Sequence, residues 1–130
     1  MEKRMKKLQV LQKEMPKPPV FSTGKSSLGL LSWGSTRGAV LESQKNLLKE
    51  GIKTESLSLS FLQPFPKSSV REFLQSHRKV LLVEQNITGQ LGDLVCEKTG
   101  WEIEDRLLKY DGRPIFPEEI TRRVKKMYEP

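Results

Sequence analysis

Apolar positions along this chain change rhythm several times, and each change marks an element. Leu28 to Trp33 is a short, almost unbroken apolar run, the pattern of a strand covered on both faces. Gly34 to Gly38 then reads as a tight turn with Ser35 or Thr36 as the helix N-cap. Residues 37–50 suit a helix with Val40, Leu41, Leu47 and Leu48 on one side, stopped by Gly51. Ile52 to Ser60 alternates through Leu57, Leu59 and Phe61 as a second strand. A stiff loop, 62–66, follows, and Pro66 suits the first position of a helix carrying Val70, Phe73 and Leu74 at i, i+3 and i+4. Lys79 to Glu84 is the clearest central strand. Leu91, Leu94 and Val95 mark the next helix, closed by Gly100. Trp101–Ile103 and Arg106–Leu108 read as one or two further strands. The last helix starts at Pro117, with Ile120, Val124, Met127 and Tyr128 on its core face; acidic residues in its first turn and lysines in its last match the helix dipole.

The N-terminal part differs. Met1, Met5, Leu8 and Met15 form a thin near-heptad stripe over 1–15, a helix that needs something outside itself to pack on. Pro16, Pro18 and Pro19 break it, and 20–27 read as a flexible linker. The expected division is 1–27, helical connector and Pro/Ser-rich linker, and 28–130, compact domain. Repeated strand-then-helix units with short connections imply an α/β fold in three layers: a mostly parallel sheet of four to five strands with helices on both faces. In such sheets ligand and partner sites gather at the carboxyl ends of the strands. Two turns fall there, Gly34–Gly38 and Gln85–Gln90.

Composition narrows the function classes. The 130 residues fit one domain. No run reaches the ~20 apolar residues of a membrane helix, and the basic N-terminus lacks the apolar stretch of a secretory signal. A net charge of +7 would suggest nucleic acid. However, residues 1–27 hold seven basic and two acidic side chains, so the body carries only +2 and nucleic acid is the least favoured partner. The single Cys96 forms no internal disulfide and cannot by itself hold a zinc ion or an iron–sulfur cluster. It reads as a small core residue in a reducing, cytoplasmic setting.

Few side chains suggest chemistry. Thr23-Gly24-Lys25-Ser26 resembles the end of a phosphate-binding loop but lacks the earlier glycine and the preceding strand. Trp33 to Gly38 lacks dinucleotide spacing, although a glycine turn opening a helix presents free N–H groups, so it reads either as a plain βα turn or as a contact. Glu84-Gln85-Asn86-Ile87-Thr88-Gly89-Gln90 is unusually polar after an apolar strand. It either caps the next helix or lines an interface. His77, the only histidine, has no nucleophile signature beside it. Arg113, in the turn 110–114, forms a surface ion pair or clamps a carboxylate. No metal-ligand cluster and no catalytic carboxylate pair stands out.

Four segments in order, Leu31–Gly38, Phe61–Pro66, Val83–Leu91 and Leu107–Pro114, resemble the C-terminal domain of the α subunit of 2-oxoacid:ferredoxin oxidoreductases, the 2-oxoglutarate type especially. That domain is similar in fold to the transketolase C-terminal domain. The resemblance implies oxidative decarboxylation of a 2-oxoacid with coenzyme A, giving acyl-CoA, carbon dioxide and reduced ferredoxin. Thiamine diphosphate would carry the carbanion chemistry and iron–sulfur clusters the electrons. The family binds thiamine diphosphate and its magnesium through Gly-Asp-Gly followed by Asn in the β subunit. Here only the fragments Leu91-Gly92-Asp93 and Tyr110-Asp111-Gly112 occur.

The resemblance therefore implies that this chain has no catalytic residue, binds no cofactor or metal, and is inactive alone. It reads as a piece of a larger subunit, or a short frame, lending structure and interface. Its expected partners are the β subunit and the preceding α/γ domains, with ferredoxin and coenzyme A serving the whole complex. The interface or cofactor-proximal candidates are Trp33, Gly34, Ser35, Thr36, Gln85, Asn86, Thr88, Gly89, Gln90 and Arg113. The competing reading is a stand-alone regulatory module that binds a small anion or nucleotide at the same turns.

Overall fold

The computed structural model describes residues 17–60, 65–85, 90–109 and 114–128. The expected helix over 1–15 lies outside them, as do Asn86, Thr88, Gly89 and Arg113.

Five strands form one sheet in the order β1-β3-β2-β4-β5. They are β1 (Val20–Ser22), β2 (Leu28–Trp33), β3 (Glu55–Leu59), β4 (Lys79–Glu84) and β5 (Asp105–Leu108). β2 is central and pairs in parallel with β3 (Leu31↔Leu57) and with β4 (Leu31↔Leu82); β4 pairs in parallel with β5. Among the described residues four α-helices connect and flank them: α1 (Arg37–Lys49), α2 (Lys67–Ser76), α3 (Gln90–Thr99) and α4 (Pro117–Tyr128). The expected three-layer α/β architecture is therefore present.

Two cores sit on opposite faces of the sheet. Leu28, Leu30, Leu81 and Val83 meet Val40 and Leu47 of α1 and Ile120, Val124 and Met127 of α4. Leu31, Leu57, Leu59 and Leu82 meet Val70, Phe73 and Leu74 of α2 and Leu91 and Val95 of α3. Successive strand residues alternate between these cores, which is why the central strands read as unbroken apolar runs.

Five expectations change. Val20–Ser22, taken as linker, is an edge strand pairing antiparallel with β3 (Val20↔Leu57, Ser22↔Glu55). It is short and only partly buried, so the sequence carries no alternation to mark it. Gln44 holds it from behind: its amide Nε2 donates to the Phe21 carbonyl (3.0 Å) and the Thr54 carbonyl (3.3 Å), and its Oε1 accepts from Ser56 Oγ (2.9 Å). The buried face of α1 is thus Val40, Ser43, Gln44 and Leu47. Leu41 and Leu48 turn away from it, because 40, 43, 44 and 47 make the continuous helical stripe. Trp101–Ile103 is not a strand; the last strand begins at Asp105. Cys96 is exposed rather than core, lying one position past Val95, whose side chain faces the sheet. Pro66 occupies the N-cap of α2 rather than its first turn.

Gly29 is required by close approach. A Cβ there would lie 2.9 Å from Phe73 Cε1 and 3.0 Å from His77 Cγ. His77 caps the end of α2, buried, with its ring 4.2 Å from that of Phe73. Its Nδ1 donates to the Phe73 carbonyl at 2.7 Å, and its Nε2 lies 3.1 Å from Glu55 Oε1. The histidine therefore pins α2 to β3.

Candidate functional site

The chain leaves β2 for α1, on one face of the sheet, and leaves β4 for α3, on the other. β2 and β4 are neighbours. Their carboxyl ends therefore form the topological switch point, the place where open α/β sheets gather ligand and partner sites. Both turns singled out from the sequence start here. The structure brings Trp33, Gly34, Ser35, Thr36 and Gln85 to this edge, with Gln90 opening α3 across from them.

Trp33 ends β2 on the α2–α3 face and stays 39% exposed, large for a tryptophan with an apolar strand behind it. Gly34 follows at φ +67°, in the left-handed region that a side chain disfavours, and starts a 3-10 turn over Gly34–Thr36. Thr36 precedes α1 but does not cap it. Its hydroxyl donates back to the Trp33 carbonyl at 3.1 Å, and its backbone is already helical. The first turn of α1 has neither a side-chain cap nor an acidic residue.

The β4 side is arranged differently. Glu84, 2% exposed, follows Val83 on the α2–α3 face, one step beyond the pair Ser32↔Val83. Its Oε1 accepts the Leu91 N–H at 2.8 Å. A carboxylate of the chain itself thus occupies the N-terminus of α3, the place an external anion would take. Burial, as the largest influence, pushes the Glu84 carboxyl above the usual glutamate range; the Leu91 and Gly92 amides and Arg106 pull the other way. Its Oε2 has no partner among the described residues. Gln85 beside it is exposed.

The polar segment that begins at Glu84 was expected either to cap the next helix through its amides and hydroxyls or to line an interface; it is the Glu84 carboxylate that takes the capping role. The signal that could have found it is a carboxylate closing an apolar strand a few residues before a predicted helix start. Among the described residues no three of His, Cys, Asp and Glu converge, and the chain's one cysteine lies on the outside of α3. Among those residues no helix is long and apolar enough to cross a membrane.

Comparison with known proteins agrees with the fold. The transketolase C-terminal domain model matches residues 21–122. The 2-oxoacid:ferredoxin oxidoreductase subunit alpha of Saccharolobus solfataricus is 35% identical over 95% of this chain, which covers 20% of that protein. The solved 2-oxoglutarate:ferredoxin oxidoreductase of Magnetococcus marinus, with 2-oxoglutarate, coenzyme A and succinyl-CoA bound, superposes with TM-score 0.85 and 30% identity. The match covers 95% of this chain and 22% of that one. The alpha chain of a probable 2-oxoacid ferredoxin oxidoreductase from Thermoplasma acidophilum is 32% identical with TM-score 0.59, over 85% of this chain and 96% of its own. The chain spans about a fifth of the length of the curated relatives it matches. It belongs to the transketolase C-terminal domain family, among the α subunits of 2-oxoacid:ferredoxin oxidoreductases.

Proposed function

We propose that this chain is the structural and interface domain of a 2-oxoacid:ferredoxin oxidoreductase α subunit. With its β subunit that enzyme oxidatively decarboxylates a 2-oxoacid, 2-oxoglutarate by preference, to acyl-CoA, carbon dioxide and reduced ferredoxin. Thiamine diphosphate, magnesium and the iron–sulfur cluster belong to other parts of the complex, which works in the cytoplasm. The domain meets the rest of the enzyme through the switch-point edge: Trp33 to Thr36 on one side, and Gln85 to Gln90 on the other, with Arg113 nearby in sequence to the β5–α4 turn.

The observation that carries this reading is an exposed tryptophan, Trp33, and an exposed amide, Gln85, at the ends of neighbouring strands, on the edge where α/β sheets place their sites. A large exposed aromatic at a polar rim is the composition of a protein interface. The anion-module alternative is weakened on the β4 side, where Glu84 already fills the helix N-terminus.

The test is association. The chain is mixed with the cognate β subunit and the remaining α-subunit domains, and the complex is followed by size-exclusion chromatography. A stable complex is expected, weakened at least tenfold by Trp33→Ala combined with Gln85→Ala. Absence of any complex, or a complex indifferent to both substitutions, contradicts the reading.

A further inference from the structure

On the α2–α3 face the sheet is wider than its cover. Val20 of β1 pairs with Leu57 of β3, whose side chain belongs to the α2–α3 core, so antiparallel pairing puts Val20 on that same face. Leu57 and Phe73 are buried there, but Val20 remains 53% exposed. Between β1 and α2 lies a groove of about 290 Å³, lined by these three apolar residues and by the carboxylates Glu55 and Glu72. Along α2 it runs from Ser69 to Ser76, two helical turns or about 10 Å.

The chain's own N-terminal segment leaves from this groove. Lys17 and Pro18 line it, Pro18 is buried, and the Pro19 carbonyl accepts the Ser58 N–H at 3.3 Å. Residues 1–16 are therefore tethered beside it, and a tethered segment meets its site at high effective concentration. Their sequence fits the groove in two respects. Met1, Met5, Leu8 and Met15 form the narrow apolar stripe that needs a surface to pack on, and Leu8 and Met15 are two helical turns apart, the length of the groove. Lys3, Arg4, Lys6, Lys7 and Lys13 outnumber Glu2 and Glu14, so the segment is opposite in sign to Glu55 and Glu72.

We propose that the groove between β1 and α2 is the docking site of residues 1–16, with Leu8 and Met15 set against Val20 and Phe73. Gln44 already holds β1 from the α1 side. The docked segment covers it from the other, which turns a short, half-covered edge strand into an enclosed one. The contact is made within one chain and does not rest on the assembly proposed above.

Two measurements on the full chain test it. In the first, Cys96→Ser removes the native thiol and Ser76→Cys carries a spin label at an exposed position on the groove wall. Docking predicts loss of the Met5, Leu8 and Met15 NMR signals through paramagnetic relaxation, unchanged on dilution. Signals left intact by the label overturn the proposal. Losses that fade on dilution put the segment on a second copy and overturn it as well. If Ser76→Cys disturbs the fold, Ser69→Cys at the other end of the groove gives the same reading. In the second, no label is used: Leu8→Asp with Met15→Asp is compared with wild type. The Val20 and Leu57 methyl signals should shift and the Val20 amide should lose exchange protection. Spectra that coincide at Val20 and Leu57 overturn the proposal. Neither measurement involves a β subunit, so failure here and failure of the association test are separate outcomes.

Discussion

Gln44→Ala removes the side chain that ties the edge strand to the domain, and its cost can be worked bond by bond. Three hydrogen bonds are lost: those to the Phe21 carbonyl, to the Thr54 carbonyl and from the Ser56 hydroxyl. The Thr54 carbonyl stays satisfied, because the Thr23 N–H (3.0 Å) and Thr23 Oγ1 (3.2 Å) still donate to it. The Phe21 carbonyl lies near the surface, where water can replace the lost donor. Ser56, fully buried, is left with an unpaired hydroxyl. At about 1 kcal/mol net per bond, with a further penalty for the orphaned hydroxyl and the space left behind, the loss comes to roughly 3 kcal/mol. That corresponds to a Tm lower by roughly 10 °C in a domain of this size. Urea unfolding at neutral pH measures the loss. A double-mutant cycle with Ser56→Ala isolates the shared bond, with a coupling of about 1 kcal/mol expected. A loss below about 1 kcal/mol, or no coupling, would refute the idea that a buried polar network holds β1 in place.

Three more outcomes follow from the packing. Gly29→Ala should destabilise by about 1–3 kcal/mol, because its methyl meets the mutually packed, tilted rings of Phe73 and His77, both fixed by their neighbours; a neutral result in thermal melts would contradict the close approach. Ile120→Ala, on the only wholly buried isoleucine of α4, should cost about 2–5 kcal/mol, read by the same urea curves. Lys125→Ala should change stability by less than about 1 kcal/mol despite the 2.6 Å pair with Glu50, since both side chains are nearly half exposed; a larger loss would show that the pair is more than a surface contact.

Most of the fold was legible because the central strands and the helices obey simple periods. Lys79–Glu84 and the Val70, Phe73, Leu74 stripe appear in the structure as read. What escaped was held by polar contacts, which leave no hydrophobic rhythm. β1 is three residues long and is anchored through a glutamine on a helix, so nothing between residues 20 and 27 announces it. In α1, Ser43 and Gln44 occupy core positions that a search for apolar residues assigns to Leu41 and Leu48. The site was legible in part. The turns at the strand ends could be named from their glycines and amides. That the polar segment caps the next helix was one of two readings open in the sequence; that the Glu84 carboxylate, and not an amide or hydroxyl, does so needs its distance to the Leu91 amide. Thr36, expected as a cap, bonds backwards instead, because the 3-10 turn brings the Trp33 carbonyl within reach first.

We propose that this domain shapes a larger redox enzyme and supplies none of its reactive groups. Complementation measures that most directly: 2-oxoglutarate- and coenzyme A-dependent ferredoxin reduction is assayed with the chain alone, with the remaining subunits alone, and with both. The prediction is no turnover by the chain, little by subunits lacking this domain, and full activity when they are combined. Turnover by the isolated chain, or full activity without it, would contradict the claim.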